Sequence, residues 1–203
     1  MDHTIITAVT AEPISLAEAR LQCKVDSDDT THDAVLSALI TAAREFAEHY
    51  TGRALAPQTL ELALPSFPTV IPHPIFDHPA FTAGDLSITL SMPPVSSITH
   101  IKYTDTAGVE QTIAGSAYAL STYGDSRTIA PTYGNYWPTT RAIPDAVRVR
   151  YVTGYTQLPK AVKAALLLHV ELESPLNPHT PAERESLEKA RDSLLNTVKV
   201  WGF

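Results

Sequence analysis

Two hydrophobic rhythms share this chain. Across residues 35–50 the apolar side chains Val35, Leu36, Leu39, Ile40, Ala43, Phe46, Ala47 and Tyr50 recur every three or four positions, the spacing of one helical face. Leu60, Leu62 and Leu64 then alternate, the period of a half-buried strand. Gly52 lies at the switch, where a helix commonly ends in the left-handed conformation. A chain that changes period in this way is read as α+β.

The same reading extends outwards from the switch. Ser15 and Glu18 have the spacing of a capping box, which predicts a short helix over residues 16–23 with Ile14 stapled onto Ala19. The long helix is predicted over residues 31–51, with Asp28, Asp29 and Asp33 near its positive end. Residues 65–85 carry five prolines, at 65, 68, 72, 74 and 79, and read as an arm or loop, since proline lacks the donor a sheet needs. Strands are predicted at Leu86, Ile88 and Leu90, over 95–103, 109–113, 118–122 and 147–152, with Asp105, Ala107 and Gly108 as the turn of a hairpin. Residues 123–144 read as a connection containing Gly, Tyr and Pro. Helix resumes with Pro159 at its first position. Val162, Ala165, Leu166, Leu168, His169 and Leu172 cover more than one face of it, so burial on several sides is expected. Thr180, Pro181 and Glu183 form a second capping box ahead of Leu187, Ala190, Leu194, Val198 and Trp201, and the last helix is expected to run into the tail Trp201-Gly202-Phe203. The architecture expected is a four-helix core built from both chain ends (1–54 and 155–203) around a β-rich central insertion (55–154) with a proline-rich arm.

At 203 residues with 44% apolar side chains, the chain can bury roughly 70% of its unfolded surface and support a core. The net charge of −7 argues against broad binding to a nucleic-acid backbone. The charge is uneven: residues 1–54 hold 9 acids and 4 bases, residues 141–203 hold 7 and 9. That contrast could pair between copies or be plain solvated surface. A single cysteine, Cys23, allows no intrachain disulfide. The first thirteen residues lack the pattern of a signal peptide, and no run of about 18 apolar residues suggests a membrane span.

A search for chemistry finds little. The glycine fingerprints of nucleotide sites, H-E-x-x-H, paired C-x-x-C and a complete G-x-S-x-G elbow are all missing from the sequence. His73, Asp77 and His78 in the proline arm are the best metal-ligand types, though loop histidines flanked by proline are more often surface residues and a fourth ligand is lacking. His169 reads as a satisfied core or interface histidine. The pairs Asp28/Asp29 and Glu171/Glu173 read as helix-start and solvent-facing groups, since general acid–base work needs carboxylates that converge across a cleft. Arg148 and Arg150 would share one strand face and either meet a partner or pair with local acids. Tyr123, Tyr133, Tyr136 and Trp137 concentrate aromatic surface that could serve an interface or a small core.

Four stretches together resemble a known family: Pro13-Ile14-Ser15-Leu16-Ala17-Glu18-Ala19-Arg20; the helix end Ala42-Ala43-Arg44-Glu45-Phe46-Ala47-Glu48-His49-Tyr50-Thr51-Gly52-Arg53-Ala54-Leu55; residues 95–103 with the Asp105–Gly108 turn; and residues 144–155 leading into Leu158-Pro159 and Lys163-Ala164-Ala165-Leu166-Leu167-Leu168. Their order is similar to the head-to-tail connector, or adaptor, family of tailed bacteriophages. The resemblance implies a non-enzymatic subunit with no cofactor, in a ring of dodecameric size beneath the portal protein. Such a ring would hold a stopper or tail-terminator protein on its other side and line a channel through which DNA passes in transit. It implies a place in the virion neck after synthesis in the bacterial host cytoplasm, with no membrane partner. The proline arm and the β-rich centre depart from shorter members of that family. The apolar chain end suggests Leu194, Val198, Trp201 and Phe203 as portal-binding residues. The competing readings are another neck protein, a stopper or tail terminator, and a metal-dependent hydrolase using His73, Asp77 and His78.

Overall fold

The computed structural model describes residues 3–69, 86–121 and 127–200. Two compact units emerge. One comprises residues 1–8 and 58–153, the other 9–57 and 154–203. The protein is mixed α+β, with four helices and two antiparallel sheets among the described residues.

The helical unit holds α1 (Leu16–Gln22), α2 (Asp33–Thr51), α3 (Lys160–Glu173) and α4 (Pro181–Asn196). Both predicted capping boxes form. Ser15 accepts from the Glu18 N–H and Thr180 from the Glu183 N–H, while each glutamate reaches back to its cap backbone. One apolar cluster draws on all four helices, including Ala19, Leu36, Ile40, Ala43, Val162, Leu166, Val170 and Leu195, with Ile14 beside them. The faces differ from expectation in three places. Val35 stays exposed, since Leu36 and Ile40 occupy the centre of the buried stripe. Pro159 caps α3 rather than opening it. α4 ends at Asn196 rather than running on to Trp201.

The β unit holds a five-stranded sheet in the order β1-β2-β8-β4-β5 and a three-stranded sheet in the order β3-β7-β6. The strands are β1 (His3–Thr7), β2 (Gln58–Leu64), β3 (Ile88–Thr89), β4 (Val95–Thr104), β5 (Glu110–Thr112), β6 (Tyr118–Leu120), β7 (Thr128–Pro131) and β8 (Val147–Thr153). The two sheets share one core. Leu60 and Leu62 of β2, Ile101 of β4, and Val147, Val149 and Tyr151 of β8 meet Ile88 of β3 and Ile129 of β7 there. β8 sits centrally, and its strict alternation of buried and half-buried residues matches the apolar rhythm of Val147, Val149 and Tyr151. The predicted hairpin forms between β4 and β5, with Asp105 accepting from the Val109 N–H at 2.9 Å. β1 and β7 are strands that the hydrophobic period does not announce. The proline-arm residues His73, Asp77 and His78, and Tyr123, lie outside the described residues.

Candidate assembly surfaces

The motif that carries the resemblance most specifically is the end of α2. Its side chains turn out to work inside the chain. Arg44 and Glu48 fall on the buried stripe, four residues apart, at 9% and 7% exposure. Arg44 Nη1 donates to Glu48 at 2.9 Å, and Arg44 Nε donates to Glu12 at 2.9 Å. The other Glu48 oxygen accepts the Leu55 N–H at 2.8 Å. Burial pushes the Glu48 carboxyl up, while the Leu55 N–H and the Arg44 guanidinium pull it down. Gly52 ends the helix with φ +68°, a conformation that glycine adopts without a Cβ penalty. The turn aims Arg53 at the carbonyl of Val198, which accepts from its Nε. Two residues further on, the Val200 N–H donates to the carbonyl of Thr51 at 2.8 Å. The segment Tyr50-Thr51-Gly52-Arg53 is therefore a latch that fastens the chain after α4 to the end of α2, and it stops α4 at Asn196.

This fixes where the proposed portal-binding residues lie. Leu194 and Val198 are half-buried against the helical cluster. Tyr50 adds a hydrogen bond from its hydroxyl to Asn196 at 3.1 Å, and the Lys199 ammonium stands 4.3 Å from the Tyr50 ring centroid. Trp201 and Phe203 lie outside the described residues.

The remaining predicted groups are also occupied within the fold. His169 stacks on Phe46 at 4.4 Å, and Arg191 lies over the same Phe46 ring. Burial, reinforced by the nearby Arg191 guanidinium, pushes the His169 imidazole pKa down. Arginine can only donate, so His169 Nδ1 accepts from Arg191 Nη1 at 3.1 Å and the ring proton sits on Nε2. Cys23 is buried, and burial pushes its thiol up, away from the thiolate that nucleophilic chemistry needs. Arg148 and Arg150 do share a face and pair with local acids, Glu110 and Glu61. Glu171 accepts from the Gln22 amide, and Glu173 pairs with Arg184. Acids in residues 1–54 likewise meet bases of the same chain, as in Asp33 with Arg20 and Glu18 with Lys163.

Of the aromatic group, Trp137 stacks on Phe67 at 4.9 Å, whereas Tyr133 and Tyr136 project into solvent. The turn beneath them is fixed by Asn135, whose amide donates to Thr132 Oγ1 at 2.8 Å.

Sequence reasoning passed over the edge strand β1. Ile5 and Ile6 are exposed there at 56% and 41%. The signal was available in the run Thr4-Ile5-Ile6-Thr7, four β-branched residues in succession.

One electrostatic feature gives a pH dependence. The Lys163 ammonium, followed by the Ser15 backbone N–H, holds the Glu18 carboxyl down to about 2. A depressed carboxylate contributes stability that is present above its unfolded pKa and is lost as pH falls through the folded one. That window runs from about 4.5 down to about 2. The side chain is 37% exposed, and solvent screening keeps the effect modest. Urea melts of Glu18→Gln against the parent at pH 7, 4 and 2.5 should show a gap that narrows as pH falls. A gap independent of pH would contradict the assignment.

Comparison with known proteins adds to this geometry. Residues 13–73 match the family model described as phage gp6-like head-tail connector protein. That span includes the capped α1 and the Tyr50–Arg53 latch. The resemblance to the phage head–tail connectors holds. Three solved structures share the fold. A chain in the neck of an empty gene transfer agent particle, computed with C6 symmetry, matches at TM-score 0.74 and 20% identity, covering 100% of this chain and 97% of that one. A chain from the virion of the native gene transfer agent particle gives 0.69 and 22%, with the same coverage. A chain from the neck of the native particle computed with C12 symmetry gives 0.63 and 20%, again covering 100% and 97%. No curated protein sequence matches the chain.

Proposed function

We propose that this protein is a non-enzymatic structural subunit of the neck of a tailed phage or phage-like particle. In this reading it forms a ring, of dodecameric size, that joins the portal protein to a stopper or tail-terminator protein and lines the channel for DNA in transit. The four helices form the connector core, the β unit is built from the chain between α2 and α3 together with β1 from the start of the chain, and the protein resides in the virion. The observation that carries the reading is the coincidence of the connector-family match over residues 13–73 with a fold shared along the whole chain by neck proteins. The latch supports it further: the residues most typical of the resemblance are spent on fixing the exit point of the C-terminal segment, which is the segment proposed to reach the portal.

Leu194 and Val198 then act as the internal anchor, and Trp201 and Phe203 as the docking tip. The proposal is tested by mixing the full chain with its portal and counting subunits by electron microscopy or native mass spectrometry. A closed ring on the portal is expected, and a chain that remains monomeric beside an intact portal would sink the reading. Removing residues 201–203 should cost at least tenfold in portal affinity while the melting temperature stays unchanged. Undiminished binding would dismiss the docking tip alone.

A further inference from the structure

A ring of more than two copies needs two different surfaces on each copy, because its contacts are heterologous. The five-stranded sheet ends in two such surfaces. At one end, β1 pairs with β2 alone among the described residues. Every residue from Thr4 to Thr7 is exposed, and the register against β2 shifts between Ile5 and Thr7, which places a bulge at Ile6. At the other end, β5 pairs with β4 alone among the described residues. All three of its residues are exposed, and Val109 just before it is exposed as well.

Free sheet edges are ordinarily protected by lysine, proline, an inward-facing charge or a bulge. β1 reads His3-Thr4-Ile5-Ile6-Thr7, with no lysine, proline or acidic residue; its one such device is the bulge at Ile6, and His3, Thr4 and Ile5 keep regular register. An edge strand with two successive exposed isoleucines and no Lys, Asp or Glu is suited to receive another strand along its regular part.

We infer that β1 of one copy adds to β5 of the next, so that the five-stranded sheet continues from copy to copy around the ring. The inference rests on the ring reading above. The topology also sets the direction of the new pairing. Each neighbouring pair within the sheet is antiparallel, and four reversals separate β1 from β5. The two edge strands therefore run the same way in one copy. Neighbours in a ring of the sixfold or twelvefold symmetry used for the similar necks are turned by only ~60° or ~30°, too little to reverse a strand. The joint between copies is parallel, with the slanted hydrogen bonds of that arrangement.

The test uses the full chain assembled on its portal. Ile6→Lys places a protecting charge on an already exposed position, so the melting temperature should hold while the fraction of chain in rings falls at least tenfold. Tyr133→Lys, equally exposed but off both edges, should leave the rings intact. A second arm combines Thr4→Cys and Thr112→Cys in one chain and applies a short bis-maleimide to the assembled ring. The double variant should give a covalent ladder well beyond dimers, whereas mixing the two single variants should stop at dimers. Intact rings with Ile6→Lys, or intact rings that give no ladder, would overturn the edge-to-edge joint and leave the ring reading standing. Absence of any ring from the parent chain on its portal would remove the ring reading, and the joint with it.

Discussion

Gly154→Ala should destabilise the protein by about 3–5 kcal/mol, the combined scale of left-handed backbone strain and overpacking. Gly154 has φ +111°, and a Cβ placed there would lie 2.1 Å from the Ala56 carbonyl oxygen and 2.5 Å from its carbon. The obstacle is backbone, so no rotamer change relieves it. The position has a structural reason. The chain leaves the helical unit through Ala56 and Pro57 and re-enters it at Gly154, and the flanking residues Gln58 and Thr153 are paired partners in the sheet. Two main chains pass so closely that a side chain cannot stand between them. Gly115 provides the control, since its Cβ would meet nothing within 4 Å, and Gly115→Ala should shift the unfolding free energy by less than about 0.5 kcal/mol. Equal losses at the two positions in urea titration would refute the close-passage argument.

Arg44→Met should cost about 3–5 kcal/mol, the scale for stripping the partner from a buried ion. The loss comes less from the missing attraction than from what stays behind. Glu48 would remain buried without the guanidinium that faces it, its carboxylate still accepting the Leu55 N–H, and Glu12 would lose the same partner while still accepting from the Thr41 hydroxyl. Two consequences separate this account from simple loss of packing. Adding Glu48→Gln to Arg44→Met should recover at least half of the stability, since the neutral amide can be buried at lower cost. In the single variant the Glu48 pKa in the folded state rises further above its unfolded value. A raised carboxyl pKa means the folded state binds more protons, so the variant should regain stability as pH falls from neutral towards about 4.5. Chemical denaturation at pH 7 and pH 5 measures this, and a deficit that grows with acid would refute it.

Local chemistry was legible in the sequence, and long-range pairing was not. Both capping boxes could be read because three consecutive peptide units determine them. The hairpin from β4 to β5 could be read because the Asp105–Gly108 turn specifies it. The alternation of Val147, Val149 and Tyr151 announced a strand, yet nothing local could say that this strand lies between β2 and β4. Register is set by what each face buries, and those partners are as far apart in the chain as Gln58 and Thr153. β7 escaped notice because a four-residue strand with one buried side chain, Ile129, has no measurable period. The Arg44–Glu48 pair escaped notice because charged residues are normally assigned to the solvent face, although their spacing of four from Leu36 and Ile40 continues the buried stripe. The latch could be recognised as a family trait but not explained, since Arg53 meets a carbonyl some 145 positions later. Of the two readings of Arg148 and Arg150, pairing with local acids is the one that forms, with Glu110 and Glu61, residues that only the sheet brings beside them.

The central place of β8 sets an order of events during synthesis. It is the last strand of its sheet to leave the ribosome, yet it is the one that joins β1–β2 to β4–β5. Until residues 147–153 emerge, the nascent chain holds two separate strand pairs and no sheet with two ends. The helical cluster waits in the same way, because Val162, Leu166 and Val170 come later still. A chain that stops before residue 147 therefore lacks both the joined sheet and the full helical cluster. Both units therefore close late, on residues 147–170, rather than strand by strand as the chain is made.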